Sequence, residues 1–90
     1  MIKAIAWAMR QHPDKLTSTE KLVLIGLADM CNGDFLVYAN QYKLSRFACI
    51  DLDLTKDIIA NLASKGFITA LDEERGTVEQ HDVYKLIVTN

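Results

Sequence analysis

Ninety residues, half of them hydrophobic, are enough for one domain with its own core and leave little room for a second. A net charge of −2 and a pI near 5.5 do not suggest a generic polyanion binder, whose usual footprint is a basic patch or a strongly basic balance. The charge is divided along the chain. Up to Cys49, six basic residues (Lys3, Arg10, Lys15, Lys21, Lys43, Arg46) face four acidic ones, a balance of +2. From Ile50 onward, four basic residues face eight acidic ones, a balance of −4. Such a split can place two different binding faces on one small domain, although scattered solvated charges are its commoner explanation.

The chain opens on a helical stretch, Ile2 to Gln11. Ile2, Ile5, Ala6 and Met9 share one predicted inner face, with Trp7 off that face as a packing residue. The stretch is too short, and too interrupted by Lys3, for a signal peptide or a membrane span, and no membrane association is expected. His12-Pro13-Asp14 ends the helix, because proline cannot continue it; His12 has no catalytic partner in any recognisable motif.

Thr17-Ser18-Thr19-Glu20 is a capping box, in which Thr17 accepts from the Glu20 N–H and the Glu20 carboxylate reaches back. The helix it starts, Ser18 to Met30, is apolar on most sides (Leu22, Val23, Leu24, Ile25, Leu27, Ala28) and is the predicted central helix. Asn32-Gly33-Asp34 marks a turn, and Phe35 to Tyr38 a short strand.

The most informative stretch follows. Asn40 is a good N-cap for a helix from Gln41 to Ala48, Cys49-Ile50 is a tight turn, and Asp51 caps a second helix from Leu52 to Lys65. Gly66 supplies the left-handed residue that closes it. Leu54, Ile58 and Leu62, with Thr55 and Ile59 beside them, form an apolar stripe. On the first helix Leu44, Phe47 and Ala48 point one way, and Lys43 and Arg46 the other. Leu24, Leu27, Ile58 and Leu62 are expected to be buried together. Two short helices with such a turn form a helix-turn-helix, whose second helix often enters the DNA major groove.

Phe67 to Leu71 reads as a second strand, Asp72 to Asp82 as a polar excursion and Val83 to Val88 as a third strand. A strand, loop and strand after a recognition helix is the arrangement of a wing. Cys31 and Cys49 lack the spacing of a metal site and are expected as buried or semi-buried thiols. No metal, cofactor or catalytic constellation is expected.

In this order the motifs resemble the winged helix-turn-helix module of phage and plasmid replication proteins and of small stand-alone phage proteins. The resemblance runs from IKAIAWAM through TEKLVLIGLADMCNGD to ANLASKGFI, nearly the whole chain. It implies a mainly helical α+β fold over residues 1–90: three core helices behind an N-terminal helical segment, a short strand and a two-stranded C-terminal wing. It also implies a cytoplasmic location in a bacterial or phage-infected cell. The chain departs from the pattern in three places. Cys49 stands where the family carries glycine, the second helix opens Asp51-Leu52-Asp53-Leu54-Thr55-Lys56-Asp57 where the family carries Ser or Thr and basic residues, and the wing is acidic.

Two functions stay open. In the first, double-stranded DNA is bound in replication or transcription regulation: Lys43 and Arg46 hold phosphates while Gln41, Thr55, Lys56 and Asn61 approach the groove. In the second, the scaffold binds a basic host or phage protein through Leu52, Asp53, Asp57, Asp72, Glu73 and Glu74, as an inhibitor of a host nucleic-acid-binding defence complex such as an anti-CRISPR would. An aspartate beside phosphate repels it, and an exposed leucine inside a charged rim suits a protein contact. The pattern leaves homodimerisation open.

Overall fold

A computed structural model describes residues 1–71 and 83–89. In chain order these form α1 (Ile2–Met9), α2 (Ser18–Met30), β1 (Leu36–Tyr38), α3 (Gln41–Ala48), α4 (Leu52–Ser64), β2 (Ile68–Ala70) and β3 (Val83–Leu86). The strands make one antiparallel sheet of order β1-β3-β2. Lys85 at its centre lies opposite Leu36 on one side and Thr69 on the other. The fold is a small, mainly helical α+β arrangement in which α2 packs against α1, α3, α4 and β1.

Three of the four described helices, α2, α3 and α4, begin at a side-chain cap. Thr17 Oγ1 accepts from the Glu20 N–H at 3.1 Å and Glu20 Oε1 accepts from the Thr17 N–H at 3.0 Å, so the capping box is complete. Asn40 Oδ1 accepts from the Lys43 N–H, and Asp51 Oδ1 from the Leu54 N–H. These bonds satisfy first-turn donors that would otherwise have no partner inside the helix.

The expected core forms: Leu24, Leu27, Ile58 and Leu62 are buried in one cluster with Val23, Leu44, Ile68 and Leu86. Gly26 is what brings α3 close. A Cβ there would stand 2.9 Å from Leu44 Cδ2 and 3.0 Å from Phe47 Cδ2, tighter than packed atoms tolerate.

Several faces differ from the sequence expectation. On α1 the buried residues are Ala4, Trp7 and Ala8, while Ile2 and Met9 are exposed. The two candidate stripes of this apolar helix compete, and the one with two alanines wins because it lets α2 approach closely. Trp7 thereby reaches Phe67, with ring centroids 6.2 Å apart, a tilted arrangement that aromatic quadrupoles favour. Phe47 and Leu54, expected inside, are both at the surface. Cys31 is buried as expected, but Cys49, in the turn between α3 and α4, is exposed. The strands are shorter than expected, and the link 72–82 lies outside the described residues.

Both helices of the pair end in the same hydrogen-bonded closure. At α4 the Phe67 N–H donates to Leu62 O and the Gly66 N–H to Ala63 O, with Gly66 at φ 86°. At α3 the Ile50 N–H donates to Ser45 O and the Cys49 N–H to Arg46 O, with Cys49 at φ 59°. This is the Schellman pattern, which needs a left-handed residue. Glycine takes that conformation freely; a residue with a Cβ pays roughly 1–2 kcal/mol for it. Cys49→Gly is therefore expected to raise stability by about 0.5–1 kcal/mol, after allowing for the extra freedom glycine gives the unfolded chain. A thermal melt checks this, the variant unfolding a few degrees above the parent.

Candidate nucleic-acid or protein interface on the α3–α4 pair

The residues singled out for binding separate into groups once folded. Lys43 and Arg46 are exposed on α3, as their spacing opposite Leu44 and Ala48 required, and Gln41 at the start of the helix is half-buried. On α4, Asp53, Lys56 and Asp57 are exposed. Of these five exposed side chains, two of the three cations are on α3 and both aspartates are on α4. No acidic residue occurs from Asn40 to Ile50.

Two candidates, Thr55 and Leu52, need correction. Thr55 is fully buried, and its hydroxyl donates to Asp51 O at 2.9 Å, so it has no surface to offer a groove. It lies one helical turn from Ile58 and Ile59 and takes the inward place a Val would fill, with its hydroxyl satisfied by the preceding turn. Leu52 is half-buried rather than exposed, whereas Leu54 is 41% exposed. The apolar contact expected of Leu52 is therefore offered more openly by Leu54. Asn61 is exposed, but its Nδ2 donates to Glu20 Oε2 at 3.4 Å, tying it to α2. Asp72, Glu73 and Glu74 lie outside the described residues.

The Asn61 contact belongs to a cluster that the sequence pattern did not reveal. Glu20 is only 5% exposed. Its carboxylate accepts from Lys65 Nζ at 2.7 Å as well as from Asn61 and the Thr17 N–H. Lys65 Nζ also donates to Lys15 O at 3.2 Å. One carboxylate thus joins the N-terminus of α2, the end of α4 and the link before α2. Its negative charge sits at the positive end of α2, which favours it further. Burial pushes the Glu20 carboxyl up, but the Lys65 hydrogen bond, the Thr17 N–H, the Lys65 charge and Asn61 together outweigh burial and hold it below its ordinary value.

An open groove of about 560 Å³ lies beside this cluster, with Trp7 and Phe67 among its apolar lining and Lys15 and Lys65 among its polar residues. Lys65 is already committed to Glu20 and to Lys15 O. Among the described residues no His, Cys, Asp and Glu side chains gather as a metal site, and no helix is long and apolar enough to cross a membrane. The two cysteines are free thiols, and burial pushes that of Cys31 up. Comparison with protein-family models, with curated proteins and with solved structures finds no match for this chain.

The Glu20 cluster carries a pH dependence whose sign is fixed. A carboxyl with a depressed folded pKa stabilises the fold above its unfolded pKa, and that stabilisation is lost as pH falls through the folded value. Glu20→Gln preserves the capping acceptor but removes the charge. It is expected to cost about 1–3 kcal/mol at pH 7, the scale of a hydrogen bond to a charged group. The gap to the parent should close below about pH 4.3, the ordinary glutamate value. Urea melts of both proteins across pH 3–7 measure it; a gap that persists unchanged at the acid end would contradict the assignment.

Proposed function

We propose that this chain is a winged helix-turn-helix DNA-binding protein of the phage or mobile-element type, acting in replication or transcription regulation. The observation that carries the reading is the placement of Lys43 and Arg46, exposed together on a helix that carries no acid. Supporting it are the short turn between α3 and α4, with Cys49 in the left-handed conformation, and the strand that follows α4 and pairs with β3. Lys43 and Arg46 grip phosphates in this reading, and Gln41 and Lys56 stand nearest the bases. Thr55 leaves the expected contact set because it is buried, while Asn61 stays exposed beside Glu20.

Phosphate neutralisation releases condensed counterions, so affinity falls with salt in proportion to the number of contacts. Lys43→Ala together with Arg46→Ala should weaken binding to all DNA sequences alike. It should also flatten the logarithmic salt dependence by about one unit per side chain. Fluorescence anisotropy with a labelled duplex between 50 and 200 mM salt measures both effects. A parent affinity that ignores salt would refute a phosphate grip.

A second reading is favoured by one specific observation: Asp53, Asp57 and Leu54 are all exposed on α4. An apolar residue among acids suits a basic protein surface, since complementary charge sets partner choice and association rate. Replacing Asp53 and Asp57 by Lys separates the two readings. Stronger non-specific DNA binding is expected if α4 faces phosphate, whereas loss of a captured basic partner, with no DNA bound by the parent, would favour protein docking instead.

A further inference from the structure

We propose that the outward face of α3 is a binding strip for single-stranded DNA, in which Tyr42 and Phe47 stack on unpaired bases while Lys43 and Arg46 hold the adjoining phosphates. The proposal rests on the DNA-binding reading above and names the form of DNA that α3 takes.

Positions 42, 43, 46 and 47 are spaced i, i+1, i+4 and i+5, which places them as one ribbon on a helix of 3.6 residues per turn. All four are exposed, Tyr42 at 69% and Phe47 at 50%. The two cations stand between the two aromatics in chain order, and each aromatic has one cation as its chain neighbour and the other one turn away. Leaving large apolar rings in water is unfavourable. Scattered single exposures need no explanation, but a cluster does. Here the exposed aromatics among the described residues, Tyr38, Tyr42 and Phe47, all fall within a ten-residue stretch.

Phe47 is supported from beneath. The position a Cβ of Gly26 would take lies 3.0 Å from its Cδ2 and 3.5 Å from its Cε2, so the ring rests against the backbone of α2 where only glycine leaves room. One side of the ring is thereby held and the rest stays open. A ring fixed in this way loses little conformational freedom when a base stacks on it, which is the advantage of a preformed platform.

Charge decides which form of DNA fits. When a helix enters the major groove of a duplex, phosphate strands line both sides of it. With α4 in that place, Asp53 and Asp57 meet them, against the single cation Lys56. A single strand laid along α3 meets Lys43 and Arg46 and no acid on that helix. Base–aromatic stacking also needs bases whose faces are open, and a duplex hides them. Sequence-tolerant stacking beside a positive track is how single-stranded nucleic acid is held.

The test uses the whole chain, a fluorescently labelled oligo(dT) and a mixed-sequence duplex of the same length, with anisotropy read across salt. The parent is expected to bind oligo(dT) more tightly than duplex. Tyr42→Ala with Phe47→Leu should weaken oligo(dT) binding on the order of ten- to a hundredfold while leaving the salt slope unchanged. Lys43→Ala with Arg46→Ala should instead reduce the slope by about 0.7 per lost contact. Phe47→Leu keeps an apolar side chain over Gly26, and Tyr42→Ala alone, at a surface position, gives a second variant whose fold is not in question. Photo-crosslinking of the parent to oligo(dT) carrying 5-bromouracil should label Tyr42 or Phe47. Duplex binding with oligo(dT) no tighter would overturn the strip and leave the DNA-binding reading standing. Binding to neither would overturn both. Tight oligo(dT) binding that Tyr42→Ala does not weaken, with the crosslink elsewhere, would overturn the strip alone.

Discussion

The position of every other helix depends on the burial of α2. Val23, Leu24, Leu27 and Ala28 are shielded completely from solvent, and at roughly 25 cal/mol per Å² of apolar surface their removal from water drives the assembly. Because α1, α3, α4 and β1 all lean on this one helix, its surface sets how closely each can approach. Gly26 admits α3, and Ala4 and Ala8 admit α1. Burial alone does not fix the ends of a helix packed on so many sides, since apolar contact has little directional preference. The Glu20 carboxylate supplies that direction by joining the start of α2 to Lys65 and Asn61 at the end of α4.

Much of this was legible in the sequence, and the legible parts share a cause. The bounds of α2 and α3 follow from residues within four positions of each end: Thr17 with Glu20 and Asn40 with Lys43 mark the starts. The start of α4 and its glycine closure are equally local, with Asp51 bonding Leu54 and Gly66 at positive φ. Its last turn ends one residue earlier than expected because Lys65 already serves as the cap. Hydrogen bonds that close over three or four residues leave a mark on the local sequence.

What was not legible is long-range or depends on a contest between similar faces. α1 offers Ile2, Ile5, Ala6 and Met9 on the expected face; of these Ile5 packs against the core, Ile2 and Met9 are exposed, and Ala4 and Ala8 are buried with Trp7 instead. Close approach to α2 decides for the small residues, which no one-dimensional pattern weighs. Phe47 continues the spacing of Leu44 but stands over Gly26, at the margin of α2 and not beneath it. Thr55 belongs to the apolar stripe by its spacing and to the polar contacts by its type, and its burial, with the hydroxyl bonded to Asp51 O inside the same helix, decides for the stripe. The Asn61–Glu20 contact spans 41 residues and the Lys65–Glu20 contact 45, so nothing near either residue announces it.

The division of charge between α3 and α4 links the fold to its use. The two helices are joined by only three residues, Cys49 to Asp51, so they cannot be presented to partners independently. A polyanion spread over both would gain at Lys43 and Arg46 and lose at Asp53 and Asp57; within a Debye length of about 10 Å at 0.1 M salt such charges are felt together. A basic protein spread over both would meet the same conflict with its sign reversed. The surface therefore favours a ligand narrow enough to lie on one helix, or a partner that is itself divided into charged halves. Tyr42 and Phe47 stand on the cationic helix and Leu54 on the acidic one, and the proposed single-stranded DNA strip rests on that difference. Cys49 at the junction holds the two helices in this relation through the left-handed conformation it adopts at some energetic cost, so the separation of the two helices is fixed by the same turn that joins them.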